Sequence, residues 1–291
     1  MGEIEPKEFY IFGKPIAHSR SPPLHNTLFK LTGLPHSYSR FETLDVADVL
    51  PLIHSPTFGG GSVTIPLKLD IIPHLDAIDP AAATIGAVNT IVPSTDLSGK
   101  VILTGYNTDF LGMQLSLTHA GADGSGARQA AMVIGGGGTA RAALYALHRM
   151  NYKPICLVGR NAAKLTELAK AFSSDYDIRV LSSVEDVKAL SSQELPSVAI
   201  GTVPGDSPID ETMGKVLGAL FEAEGKVEVV PGVQRKRVLL EMAYKPSVTP
   251  LMELATGHAW KTVPGLEPLV GQGVHQVSAL SSKCVVTNFA N

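Results

Sequence analysis

The sequence predicts an α/β fold in two domains, and three observations carry that reading. The chain has 291 residues, enough for two domains that each bury a core without disulfides or metals. Hydrophobic residues make up 44% and charged residues 18%, the apolar balance of layered proteins with buried parallel strands. Short apolar runs alternate with amphipathic stretches twice over, once in the opening third and again from Ala130.

The first set gives a strand at EFYIFG (8–13), a helix at PPLHNTLFKLTG (22–33), a strand at SYSRFET (37–43) and a strand at GGGSVTIP (59–66) that ends in a turn. Such alternation signals βαβ units around a mainly parallel sheet. A helix is expected at FLGMQLSLTHAGA (110–122), and the small polar stretch Gly121 to Arg128 reads as a surface loop near the domain junction. The second set runs strand (AAMVI, 130–134), helix (TARAALYALHRM, 139–150), strand (PICLVG, 154–159), helix (NAAKLTELAKAF, 161–172) and strand (IRVL, 178–181). Further strands are expected at SVAIGTV (197–203), VEVVPG (227–232) and VLLEMAY (238–244), and no fixed-period repeat or low-complexity tract interrupts the pattern.

Charge narrows the partners. The net charge is −3 and no block of like charges could neutralise a phosphate backbone or an anionic membrane, so a small-molecule ligand is expected and a nucleic acid or membrane is not. The two cysteines, Cys156 and Cys284, lack CxxC spacing and indicate a reducing compartment, with Cys156 as inert core in an apolar run. MGEIEPKEF is acidic where a signal peptide is basic, Pro6 argues against myristoylation, and no apolar run nears the roughly 18 residues of a membrane span. A cytoplasmic protein is expected. The nine histidines, His18 and His25 included, form no HExxH or Cys/His cluster, so no metal is expected; a GxSxG elbow is also missing.

Gly135, Gly137 and Gly138 follow an apolar strand and open an amphipathic helix, the context of a dinucleotide fingerprint. Glycine lets the backbone approach a pyrophosphate, while the helix start offers unpaired N–H groups and a partial positive charge. The plain alternative is a flexible turn. At the end of the next strand stand Gly159, Arg160 and Asn161, with Lys164 just beyond and no acid to bond a ribose 2′-hydroxyl. Two cations there favour the 2′-phosphate of NADP, against the alternative of solvated residues at a helix start. A Rossmann-type NADP-binding domain follows.

In the first half, GKPIAHSRSPPLHN, SVTIPLK, IGAVNT and GYNTDFLG are denser in polar residues than their surroundings need. Ser21 reads as a helix N-cap before Pro22, whereas Ser19 has no such need, so the two hydroxyls could hold a carboxylate. Lys68 is expected in the first turn of a helix that Thr64 caps and Pro66 begins, where the helix disfavours an ammonium and would lower its pKa. Asp109 and Thr108 stand as caps before the next helix, and Asn89 reads equally as a turn residue bonding its own backbone.

Together, PIAHSRSPPLHN, SVTIPLK, IGAVNT, GYNTDFLG, GGGGTARAA, EMAYKPSVTPLM and PGLEPLVGQG, in that order, resemble the shikimate dehydrogenase family over about residues 8–276, closest to fungal members. The resemblance implies hydride transfer between NADPH and 3-dehydroshikimate, or the corresponding quinate pair. It implies Lys68 and Asp109 as the catalytic pair. Substrate would be bound by Ser19, Ser21, Ser62, Thr64, Asn89, Tyr244 and Gln272, with the serine pair on the carboxylate. Cofactor would be bound by Gly135, Gly137, Gly138, Arg160, Thr202, Met242 and Gly265. The expected domains are 1–109 with 266–291 for substrate and 110–265 for NADP, with the chemistry in the cleft between them. The family also contains a non-catalytic sensor or repressor module of the same fold and domains of larger polypeptides, and both readings stay open. Three departures stand out: Gly159-Arg160-Asn161 in place of Asn-Arg-Thr, Ser62 where many bacterial members have asparagine, and VSALSSKCVVTNFAN after Gln276 in place of an aromatic helix. The last is expected to cost stability or to loosen the Gln272 contact.

Overall fold

A computed structural model describes residues 4–124, 129–224 and 237–281. The chain divides into two compact units, Met1–Thr108 with Gln272–Asn291, and Asp109–Gly271.

The first unit contains β1 (Glu8–Gly13), α1 (Ser21–Leu31), β2 (Ser37–Glu42), α2 (Leu50–Ile53), β3 (Phe58–Val63), β4 (Ala77–Ile78), α3 (Pro80–Ile85), β5 (Thr90–Thr95) and β6 (Val101–Tyr106). Its strands form one six-stranded sheet in the order β2-β1-β3-β5-β6-β4. β1 runs parallel to β2 and β3, and β4 parallel to β6, while β5 is antiparallel to both its neighbours. Side chains alternate across β1: Phe9 and Ile11 pack with Ile16, Phe29 and Tyr38 on one face, and Phe12 packs with Val63, Leu67, Ile71 and Ile91 on the other.

The β5/β6 hairpin is missing from the strands expected above. Pro93 argues against a strand there, yet β5 pairs with β3 only at Thr90 and Ile91, so Pro93 sits where β5 has no second partner to bond. The turn is the signal that could have found it: Asp96 Oδ1 accepts from the N–H of Ser98 and Lys100, and Gly99 has φ +87°.

Lys68 requires a second correction. Residues 65–70 form turns rather than a helix, and no side-chain bond of Thr64 caps them in the described hydrogen bonds. The Lys68 carbonyl, which a helix would offer four residues on, instead accepts from the Val88 N–H at 2.8 Å.

The second unit holds α4 (Asp109–His119), β7 (Ala130–Ile134), α5 (Gly138–Arg149), β8 (Ile155–Val158), α6 (Ala162–Lys170), β9 (Ile178–Leu181), α7 (Val184–Lys188), β10 (Pro196–Gly201), α8 (Glu211–Glu224), β11 (Val238–Glu241), α9 (Pro250–Gly257) and β12 (Lys261–Val263). α10 (Leu266–Ser281) starts here and continues past Gly271 into the first unit's segment. The six strands are all parallel, in the order β12-β11-β10-β7-β8-β9, so the winding reverses between β7 and β10 as in a Rossmann sheet. β7, β8, β10 and β11 are buried along their whole length, which explains their unbroken apolar runs. Cys156 lies within β8 and burial pushes its thiol up to about 12, consistent with an inert core residue. The expected strand at 227–232, residues 125–128 of the polar stretch and Cys284 lie outside the described residues.

Candidate functional site

Strand direction gathers most of the polar segments of the first unit on one edge of its sheet. The loops after β1, β3 and β6 and the start of β5 all meet that edge, because β5 runs antiparallel to β3 and β6. They carry Ser19 and Ser21, Thr64 and Lys68, Asn107 and Thr108, and Asn89 respectively. Gly13 lets two of these loops touch: its φ is +143°, and a Cβ would lie 2.6 Å from the Ile65 carbonyl. Lys14 N–H then donates to Ile65 O at 2.9 Å and Thr64 N–H to Phe12 O at 2.8 Å. Glu42 accepts from the Ile16 N–H at 2.7 Å and Arg40 donates to Ser19 O at 2.7 Å, which holds the serine loop.

Ser19, Ser21, Ser62, Lys68, Asn89 and Gln272 are all buried, and Thr64 is half-buried. So dense a set of buried polar groups on a loop edge is not what packing alone selects. Ser21 is already inside α1, whose N-cap is Arg20, and Ser19 Oγ accepts its N–H at 3.3 Å, so Ser19 has the local role that the sequence did not suggest. Asn89 bonds Thr108 rather than itself: Oδ1 accepts from the Thr108 N–H at 2.8 Å and Nδ2 donates to Thr108 Oγ1 at 3.1 Å. Gln272 accepts from Thr108 Oγ1 at 3.1 Å. α10 continues to Ser281, so the start of the unfamiliar segment after Gln276 is helical. Gln276 itself is buried and bonds Ser62 at 3.1 Å, a partnership across 214 residues that sequence reasoning missed.

In the second unit the expected cofactor residues lie at the carboxyl ends of parallel strands, where nucleotides bind in doubly wound sheets. Gly135 follows β7 with φ +124°, and a Cβ there would run into Thr202 Oγ1, which itself donates to Ile134 O at 2.9 Å. Gly137 is the N-cap of α5 and makes no side-chain cap; a Cβ on it would meet nothing within 4 Å. A helix start left uncapped beside open space suits a pyrophosphate. Arg160 and Lys164 are exposed after β8, and Asn161 is the N-cap of α6, accepting the Lys164 N–H at 3.0 Å, so its carbonyl oxygen has a structural job. Met242 and Tyr244 follow β11 and are half-buried, with the Met242 N–H on Gly201 O at 2.9 Å. Gly265 follows β12, and a Cβ there would lie 2.5 Å from Ala243 O, so only glycine fits. Asp109 is buried in the first turn of α4, the end of a helix that favours acidic side chains. Among the described residues no group of three or more His, Cys, Asp or Glu could hold a metal, and no helix is long and apolar enough to cross a membrane.

Comparison with known proteins gives this geometry a context. The family model described as the shikimate dehydrogenase substrate binding domain matches residues 11–91. The structure of dehydroquinate dehydratase and shikimate dehydrogenase from S. pombe AroM is similar at 39% identity, covering 96% of this chain and 51% of that one, with a TM-score of 0.74. This chain thus spans about half of that relative. A shikimate dehydrogenase solved in complex with NADP+ is 27% identical over 97% of this chain and 92% of its own, with a TM-score of 0.71. Shikimate 5-dehydrogenase from Listeria monocytogenes, solved with shikimate and NAD, is 26% identical over 95% of this chain and 92% of its own, with a TM-score of 0.72. With its substrate-domain match over residues 11–91, its similarity to these proteins over nearly all of its own length and its Rossmann sheet, the chain is similar to the shikimate dehydrogenases in both of its units.

Proposed function

We propose that this chain catalyses the NADP(H)-dependent, reversible reduction of 3-dehydroshikimate to shikimate, with the quinate pair as a second substrate of the same site. The observation that carries the reading is the buried set Ser19, Ser21, Ser62, Lys68, Asn89 and Gln272 at one edge of the first sheet, in a chain similar to this family. Ser19 and Ser21 beside the start of α1 suit a carboxylate, because hydroxyls and helix N–H groups both stabilise an anion. Asn89, Gln272, Ser62 and Thr64 suit the hydroxyls of a ring.

NADPH, when bound, supplies the hydride. Lys68 and Asp109 handle the proton: reduction of a ring ketone needs one delivered to the oxygen, and oxidation needs it removed. Tyr244 joins the substrate-binding groups. Gly135, Gly137 and Gly138 let the cofactor backbone approach α5, with Thr202, Met242 and Gly265 shaping the neighbouring strand ends. Arg160 and Lys164, with no acid in the turn after β8, favour a 2′-phosphate; Asn161 orders the helix from which Lys164 projects.

The test is a spectrophotometric assay of purified protein with shikimate or quinate, each with NADP+ and NAD+. Turnover with NADP+ and at least one acid is expected, and tight binding of either acid without turnover would favour a sensor module. Lys68→Ala should abolish turnover and leave NADP+ binding intact; an active variant would remove Lys68 from its role.

A further inference from the structure

The first unit contains a buried run of hydrogen bonds whose direction is fixed at two points by backbone groups. The Thr108 N–H can only donate, and its acceptor is Asn89 Oδ1 at 2.8 Å. The Asn89 carbonyl can only accept: it takes the Val63 N–H at 2.7 Å and, beside it, Gln276 Nε2 at 3.4 Å. Both amides are therefore oriented, and the rest follows because each hydroxyl has a single proton to give.

Gln276 Nε2 also donates to Thr90 Oγ1 at 2.9 Å, and Thr90 Oγ1 donates to Asn89 Oδ1 at 2.7 Å. The Gln276 oxygen faces the other way and accepts the Ser62 hydroxyl proton at 3.1 Å. Ser62 Oγ, its proton spent, accepts from the Tyr38 hydroxyl at 2.5 Å. On the other branch Thr108 Oγ1 accepts from Asn89 Nδ2 at 3.1 Å and gives its proton to Gln272 Oε1 at 3.1 Å rather than to Asn89 Oδ1 at 3.4 Å, which already takes the Thr108 N–H and the Thr90 hydroxyl. Tyr38, Ser62, Asn89, Thr90, Thr108, Gln272 and Gln276 are all buried, so reversing any member would strand a donor or an acceptor away from water.

We propose that this relay sets the hydrogen-bonding polarity of the substrate site. Ser62 meets a ligand only as an acceptor, Asn89 and Gln272 only as N–H donors, and Tyr38, Thr90 and Gln276 are positioning residues that hold the pattern. The ligand it selects is a polyhydroxylated ring that gives one hydroxyl proton to Ser62 and presents oxygen lone pairs to the two amides. This rests on the reading of these residues as a substrate site given above.

Thr90 is the most informative position to change, since Thr90→Val keeps its shape and removes both bonds, while Thr90→Ser retains them. Thr90→Val should raise KM for shikimate or quinate about tenfold, with kcat and KM for NADP+ within about twofold, and Thr90→Ser should restore KM. Equal KM values in the valine and serine variants would overturn the proposal. If the native protein turns over neither acid, the functional reading fails, but the relay is still measurable in the protein alone. Tyr38 and Gln276 are joined through Ser62, so Tyr38→Phe combined with Gln276→Met should lower Tm by less than the sum of the single changes. Additive losses would show that the relay does not exist.

Discussion

Lys68 is a buried lysine, and an ammonium taken out of water costs several kcal/mol that its partners must offset. A residue placed so is expected to serve chemistry rather than stability. Lys68→Met, which keeps the chain length and removes the charge, should leave Tm unchanged or higher while lowering kcat by about 10² to 10⁴-fold. Melting and turnover on one preparation check this, and a clear fall in Tm would mean that the amine holds the fold. Glu241 tests electrostatics in the other unit. Burial raises its carboxyl above the ordinary 4.5, against hydrogen bonds from Ala243, Thr249 and Met242. An acid raised in the folded state holds its proton more tightly when folded, so its contribution improves as pH falls through the folded pKa towards the unfolded one and is unfavourable above. Native protein should therefore gain Tm relative to Glu241→Gln as the pH is lowered towards the ordinary carboxylate range. A gap that stays constant or closes would show that the hydrogen bonds outweigh burial.

At the scale of elements, two glycines two positions apart make opposite predictions. Gly135→Ala places a Cβ against Thr202 at φ +124°, so it should lower Tm and weaken NADP+ binding together. Gly137 has φ −98° and ψ −170°, which any residue adopts, and open space beyond, so Gly137→Ala should keep Tm and weaken NADP+ binding about tenfold or more. Calorimetric titration beside a melt separates the two, and equal effects in both assays would mean that α5 is not the anion site. These turns were legible in the sequence because a strand, a glycine run and an amphipathic helix are all local. The β5/β6 hairpin was less legible because Pro93 breaks its pattern, and it is tolerated where β5 no longer pairs with β3. The Thr64 to Lys68 segment carries local helix signals, a threonine and then a proline, but Val88 takes the Lys68 carbonyl from a distant part of the chain. Ser62 and Asn89 could be named from their motifs. Their link through Gln276 could not, because no local pattern joins residues 214 positions apart.

The order of the chain sets a property of the whole molecule. Residues 109–271 form the unit with the Rossmann sheet, and the chain then returns to complete the first unit with Gln272 and Gln276 on α10. The proposed cofactor and substrate residues thus fall in separately packed units, Tyr244 and Asp109 apart, and each ligand should stabilise the protein through its own set of contacts. A ligand that binds only the native state at one hundred times its Kd adds about 2.7 kcal/mol, enough for a shift of a few degrees in a chain of this size. NADP+ and the ring acid should each raise Tm. Gly137→Ala should remove the NADP+ shift and retain that of the acid, while Gln276→Met should do the reverse. Loss of both shifts in either variant, with the native Tm of the unliganded protein preserved, would show that the two ligands depend on one shared element, and the division of labour between the units would fail.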